Sequence, residues 1–134
     1  MTLIWTEQYS VRVRELDEQH KKLFAMIQAL NEAMGAGRGK QELSKIFANL
    51  MDYCVTHFTN EERILKTQGY PEYEAHHQIH EKMMSKARSL QNDFVAGKVG
   101  ITLETMKFLE DWLGKHIMGT DKKYGAHLNS KGVS

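Results

Sequence analysis

Residues 41–67 read QELSKIFANLMDYCVTHFTNEERILKT. Within them Leu43, Ile46, Phe47, Leu50, Cys54, His57, Phe58, Glu61 and Leu65 recur at intervals of three and four. That period marks one face of an α-helix. Gly69-Tyr70-Pro71 ends the segment, and Pro71 suits the first turn of a following helix. Two members of the stripe, His57 and Glu61, are not apolar. Residues four apart stand one above the other on a helix, about 5–6 Å between Cβ atoms, so this imidazole and this carboxylate reach a common point. Alone, the pair has an ordinary explanation: a hydrogen-bonded core histidine, and a glutamate beside a lysine. Its weight comes from the rest of the chain.

Three more segments carry the same period. The first spans about 17–34, with Leu16, His20, Leu23, Phe24, Ile27, Leu30 and Met34 in its stripe. Asp17 is its expected N-cap. The glycines of 35–39 end it, since glycine takes the left-handed cap cheaply. Another spans about 72–95, with His76, His80, Met83, Ala87, Leu90 and Phe94, and Gly97 and Gly100 follow it. The last spans about 102–118, with Leu103, Met106, Leu109, Trp112, Leu113, His116 and Ile117. Short connections between four helices predict an all-α, antiparallel up-down-up-down four-helix bundle. One domain covers 1–134: an arm over 1–16, the bundle over about 17–122, and a frayed polar tail over about 123–134.

Bulk composition narrows the function classes. A chain of 134 residues buries roughly two-thirds of its unfolded surface, enough for a core without staples. Lysine and arginine are well mixed with aspartate and glutamate, and the net charge is +1. No basic stripe suggests a nucleic-acid surface. No apolar run approaches the roughly 18 residues of a membrane span. The first residues lack a basic stretch followed by an apolar one, so no export signal is expected. A single cysteine, Cys54, forms no internal disulfide, which fits a reducing cytoplasm. Cys54 itself is expected as a small buried hydrophobe. With no exposed apolar stripe, a monomer is expected.

In the predicted topology His20 lies near the start of the first helix and His57/Glu61 near the end of the second. His76/His80 lie near the start of the third, and His116/Asp121 at the end of the fourth. All these places share one end of the bundle. Imidazoles and carboxylates gathered in a core are costly unless paired or coordinated. These seven are therefore candidate metal ligands, a set that suits iron. A structural zinc site takes four ligands, usually with cysteine, whereas seven fit two ions bridged by carboxylates. Di-iron carboxylate bundles use four glutamates with two histidines, the reverse of the balance here. Asp121 follows His116 by five residues, so the helix must loosen or end near Gly119 to bring it back. His77 turns about 100° from His76 and is expected in solvent, as is His127. Glu62 is expected to point outward.

These residues resemble the hemerythrin family, nearest to its single-domain bacterial members. The matching elements are Asp17-Glu18-Gln19-His20, His57-Phe58-Thr59-Asn60-Glu61-Glu62, His76-x-x-x-His80, and Trp112-Leu113-x-x-His116-Ile117-x-x-x-Asp121, with Trp5 in the leader arm. Together they cover nearly the whole chain. The resemblance implies two iron ions (Fe2+/Fe3+). His76, His80 and His116 would hold a coordinatively full one, and His20 and His57 one with an open position. Glu61, Asp121 and a solvent-derived oxo or hydroxo group would bridge them, and O2 would bind end-on at the open iron. The donor count agrees: three imidazoles with three bridges fill six positions, and two imidazoles leave one free.

Reversible O2 binding needs a dry wall against water and protons. Leu113 lies three residues before His116 on the same face, and Phe58, Leu23, Trp112 and Ile117 flank the ligands. The expected function is an oxygen carrier, store or delivery protein serving an oxygen-consuming enzyme, without turnover. The alternatives are an O2 or redox sensor, or a di-iron peroxidase or nitric-oxide-handling enzyme. For an enzyme, Tyr124 is the nearest candidate acid, though it can equally hydrogen-bond a ligand.

Overall fold

The computed structural model describes residues 4–98, 100 and 103–134. Every regular element among them is helical. Four main helices follow the predicted order: α1 over Arg14–Gly35, α2 over Lys40–Thr67, α3 over Tyr73–Val95 and α4 over Leu103–His116. Helix α1 packs on α2 and α4, and α2 on α3. Gly69 ends α2 in the left-handed conformation, with φ of 66°, which carries a steric cost for any other residue. The expected start of the fourth helix at Thr102 and the side chain of Leu103 lie outside the described residues.

The start of α1 differs from expectation. The helix begins at Arg14, behind an N-cap position held by Val13 without a side-chain cap. Asp17 lies within its first turn, its amide donating to the Val13 carbonyl at 2.9 Å. The Asp17 carboxylate instead reaches back to the arm, accepting from Ser10 Oγ at 2.6 Å and the Val11 amide at 2.8 Å. Val11 and Val13 are thereby pinned in the interior.

The tail is not frayed. After α4 the chain makes one π-helical turn, Ile117–Asp121, then continues as α5 over Lys122–Ser130. Tyr124, Gly125 and Leu128 of α5 are buried. Tyr124 and Leu128 pack with Val11, Val13, Leu16, Leu65 and Tyr70 into an apolar cluster at one end of the bundle. A larger cluster, including Leu23, Phe58, Leu113 and Ile117, fills the remaining length. Lys122 Nζ donates to the Gln8 carbonyl at 2.7 Å, and Asn129 Nδ2 to the Arg12 carbonyl at 2.9 Å, so α5 is stitched to the arm. Gly125 lies so close that a Cβ there would come 2.4 Å from the Val11 carbonyl oxygen.

Candidate metal centre

The helical spacing explains where the polar donors fall. His20 is one turn along α1 from Leu16, and Glu61 one turn before Leu65 on α2. Leu16 and Leu65 belong to the end cluster, while Leu23 and Phe58 belong to the long core. The donors thus form a polar layer between two apolar ones. His20, Glu61 and Asp121 have no exposed surface, and His57, His76, His80 and His116 are buried with them. Asp121 joins the layer because the π turn inserts a residue: in i→i+5 geometry His116 and Asp121 share a face. Gly119 lies inside that turn, so the helix loosens there without ending.

The donors form two groups. One donor atom from each of Glu61, His76, His80, His116 and Asp121 lies within 4.8 Å of the others, and the same holds for His20, His57, Glu61 and Asp121. Both carboxylates straddle the groups. Glu61 Oε1 lies 2.7 Å from His76 Nε2 and 3.2 Å from His80 Nε2, while its Oε2 lies 3.4 Å from His20 Nε2 and 3.2 Å from His57 Nε2. Asp121 Oδ1 lies 2.9 Å from His116 Nε2 and 3.3 Å from His76 Nε2, while Oδ2 lies 3.1 Å from His20 Nε2. His80 Nε2 and His116 Nε2 are 3.1 Å apart.

These distances fit metal coordination. Bonds of about 2.1 Å from metal to nitrogen or oxygen put neighbouring octahedral donors about 3.0 Å apart. Several of the atoms are close without pairing. Among the described residues, both ring nitrogens of His20, His57 Nε2, His116 Nδ1 and both Asp121 oxygens are buried without a hydrogen-bond partner. Buried polar atoms left this way are costly. The Nε2 atoms of His20 and His57 and both Asp121 oxygens face shared points where a cation would satisfy them.

Outer contacts orient the rings. His57 Nδ1 donates to Gln19 Oε1 at 2.6 Å, and His80 Nδ1 to Glu62 Oε2 at 2.7 Å. With the proton on Nδ1, each Nε2 keeps its lone pair for the interior. Tyr124 donates to Glu61 Oε2 at 2.8 Å. Burial works against the charged form of Glu61, yet His57, His20 and His76 hold it well below the usual carboxylate range. Burial and Glu61 oppose the charge on Asp121, but His116 and His20 lower its pKa all the same. Burial also opposes charge on His20 and His76, and the two carboxylates outweigh it, bringing each up to about 9. For His57 burial prevails and the pKa falls. Burial, then Glu61 and Asp121, push Tyr124 well above its ordinary value.

A family model described as the hemerythrin HHE cation binding domain matches residues 11–128. The chain belongs to the hemerythrin family. It is 34% identical to a bacteriohemerythrin of Methylococcus capsulatus, over 96% of this chain and 98% of that one. It is 30% identical to a myohemerythrin of Theromyzon tessulatum, over 92% of each. Among solved structures, wild-type hemerythrin superposes with a TM-score of 0.88 at 36% identity, covering 96% of this chain and 97% of that one. A leucine-to-alanine hemerythrin variant gives 0.89 at 35% identity, covering 96% and 98%.

On this hemerythrin framework all seven expected donors meet in one layer. The other expectations fare unevenly. Leu23, Leu113 and Ile117 are buried in the long core. Phe58 stacks on the His80 ring, with centroids 3.9 Å apart and planes at 8°. Trp112 is half-buried and donates to the Met83 carbonyl at 3.3 Å, tying α4 to α3. Glu62 does not point outward: its side chain is 15% exposed and pairs with His80 and His77, because it lies on the flank of α2 that meets α3. His77 is about one-third exposed and held by Glu62. His127 is not free in solvent, since its Nε2–H donates to the Gln68 carbonyl at 2.8 Å. Cys54 is buried, and burial pushes its thiol up to about 12. Sequence reasoning left Gln19 and Glu62 without a role. Their places beside His20 and Glu61 in the matching motif elements were the signal, and adjacency does not reveal which ring a side chain reaches.

Proposed function

We propose that this chain binds O2 reversibly at a pair of iron ions held by His20, His57, Glu61, His76, His80, His116 and Asp121. The observation that carries the reading is the split of both carboxylates, one oxygen of each toward either donor group. Two iron ions held by these seven side chains would supply the reversible two-electron chemistry that O2 binding requires. One group offers three imidazoles and two carboxylate oxygens, and the other two imidazoles and two oxygens. The poorer group is where an added ligand fits.

The surrounding side chains suit storage and delivery better than turnover. Leu113, Phe58, Leu23 and Ile117 form an apolar wall that excludes water, with Trp112 outside it. Tyr124 directs its hydroxyl proton to Glu61 and is held well above its ordinary pKa, which leaves it poorly suited as a proton donor to a substrate. We read the chain as a monomer. The large apolar side chains exposed among the described residues, such as Val55, Ile79 and Met118, stand on separate elements. Among those residues no helix is long and apolar enough to cross a membrane. A reducing cytoplasm fits the single buried cysteine.

Anaerobic loading with ferrous iron, followed by metal analysis and absorption spectroscopy, tests this. The expected result is two irons per chain and a charge-transfer band that appears with O2 and disappears under vacuum. One iron per chain, or a band that never reverses, overturns it.

A further inference from the structure

Two contacts fix the His80 ring. Phe58 stacks on its face, with centroids 3.9 Å apart, which sets the plane of the ring. Glu62 Oε2 accepts from Nδ1 at 2.7 Å, which sets the rotation within that plane and leaves Nε2 toward Glu61 and His116. The other oxygen of Glu62 accepts from His77 Nδ1 at 2.5 Å. His77 is itself braced: Tyr73 lies parallel to it, with centroids 6.2 Å apart and planes at 16°, and Glu81 approaches its Nε2 at 3.9 Å. One carboxylate from α2 therefore grips two imidazoles of α3, one in the metal layer and one at the surface. The two-imidazole group has no equivalent, because His57 is oriented by the neutral amide of Gln19.

A carboxylate behind a coordinating imidazole fixes its tautomer and raises its basicity. We propose that Glu62 is a positioning residue for the three-imidazole metal position, and that His77 clamps Glu62 from the solvent side, so that a surface histidine governs how firmly that ion is held. The inference rests on the two-metal reading above and adds a determinant that acts on one ion alone.

The test compares the full-length chain with Glu62→Ala, Glu62→Gln and His77→Ala, each loaded anaerobically with ferrous iron. Iron release to a bipyridine chelator is followed in time. Outer-sphere substitutions commonly cost about 10–100-fold in metal affinity. Glu62→Ala is expected to release one of its two ions faster by a factor in that range, with the second at the wild-type rate. Glu62→Gln keeps an acceptor for Nδ1–H and should recover part of the loss. His77→Ala, a surface change that leaves every proposed ligand in place, should hasten release of the same ion by a smaller factor. In zinc-loaded protein, the His80 Nδ1–H proton should be protected from exchange in wild type and Glu62→Gln, and exchange rapidly in Glu62→Ala. If wild type holds two ions while Glu62→Ala and His77→Ala release both at the wild-type rate, the positioning role is wrong. Equal acceleration of both ions assigns Glu62 to general fold support and also overturns it. A wild-type chain that fails to hold two ions refutes the two-metal reading, and this inference with it.

Discussion

Gly125→Ala sets two physical effects against each other with opposite signs. Helix propensity alone favours the variant, because alanine inside a helix is better than glycine by about 0.8–1 kcal/mol. The tertiary structure opposes it. The new Cβ would stand 2.4 Å from the Val11 carbonyl oxygen, where a comfortable carbon–oxygen contact is about 3.3–3.6 Å. Either α5 or the arm must retreat by about 1 Å. The arm is held at that residue, the Val11 amide donating to Asp17 at 2.8 Å. Movement of α5 stretches the neighbouring Tyr124–Glu61 hydrogen bond from 2.8 Å past its useful range. Overpacking of this kind costs about 1–3 kcal/mol, and a hydrogen bond to a charged group contributes about 1.5–3 kcal/mol. With the propensity gain subtracted and only part of the hydrogen bond lost, the net destabilisation is about 2 kcal/mol. For 134 residues the unfolding entropy is about 0.28 kcal/mol/K, so Tm should fall by about 7 °C. Circular dichroism at 222 nm through thermal unfolding measures this. An unchanged or higher Tm refutes the close approach of arm and α5. Within a Tyr124→Phe background the loss from Gly125→Ala should shrink, because the two changes share one hydrogen bond.

Tyr124→Phe by itself should lower stability by about 1.5–3 kcal/mol, toward the low end because Glu61 keeps its imidazole neighbours, and denaturant unfolding reads this as a lower midpoint at constant m. Leu113→Ala should speed autoxidation of the oxygenated protein by opening the apolar wall, and destabilise the fold by about 2–5 kcal/mol; an autoxidation half-life equal to wild type removes Leu113 from the pocket. The pH dependence of the metal-free chain follows from His20 and His76, raised from 6.5 to about 9. Groups raised on folding contribute stability that is complete below pH 6.5 and lost as pH rises through 9, so Tm without metal should drop across that window. Metal binding displaces those protons and strengthens with pH, so added ferrous iron under argon should raise Tm more at pH 8 than at pH 6.5, and the opposite order contradicts the ligand assignment.

Much of the site is local in origin. The i,i+4 pairs His57/Glu61 and His76/His80 share a face in any α-helix, and the order of four stripes with short connections places their ends together. That is why the four main helices, their order and the gathering of six of the seven expected donors were readable from residue spacing. The role of Asp121 was readable only as a requirement that the helix loosen, since five residues do not close an α-helical turn. What the chain does there, a single π turn carrying on into α5, depends on Tyr124 and Leu128 finding the apolar cluster around Val11, Val13, Leu16, Leu65 and Tyr70. Two apolar positions a turn apart are too few to mark a helix, which is why the segment looked like a polar tail.

The linear pattern of the chain thus determined the four-rod architecture and the common level of its histidines and Glu61, because both follow from the period of the α-helix, whereas Asp121 needed the π turn. The tertiary structure alone decided how the layer is closed and oriented. Asp17 grips the arm in place of capping a helix, Gly125 admits that arm against α5, and Glu62 and Gln19 each turn an imidazole on another helix. All of these contacts except the reach of Asp17 cross from one element to another, and such distances are set by how whole helices pack, which no local spacing encodes.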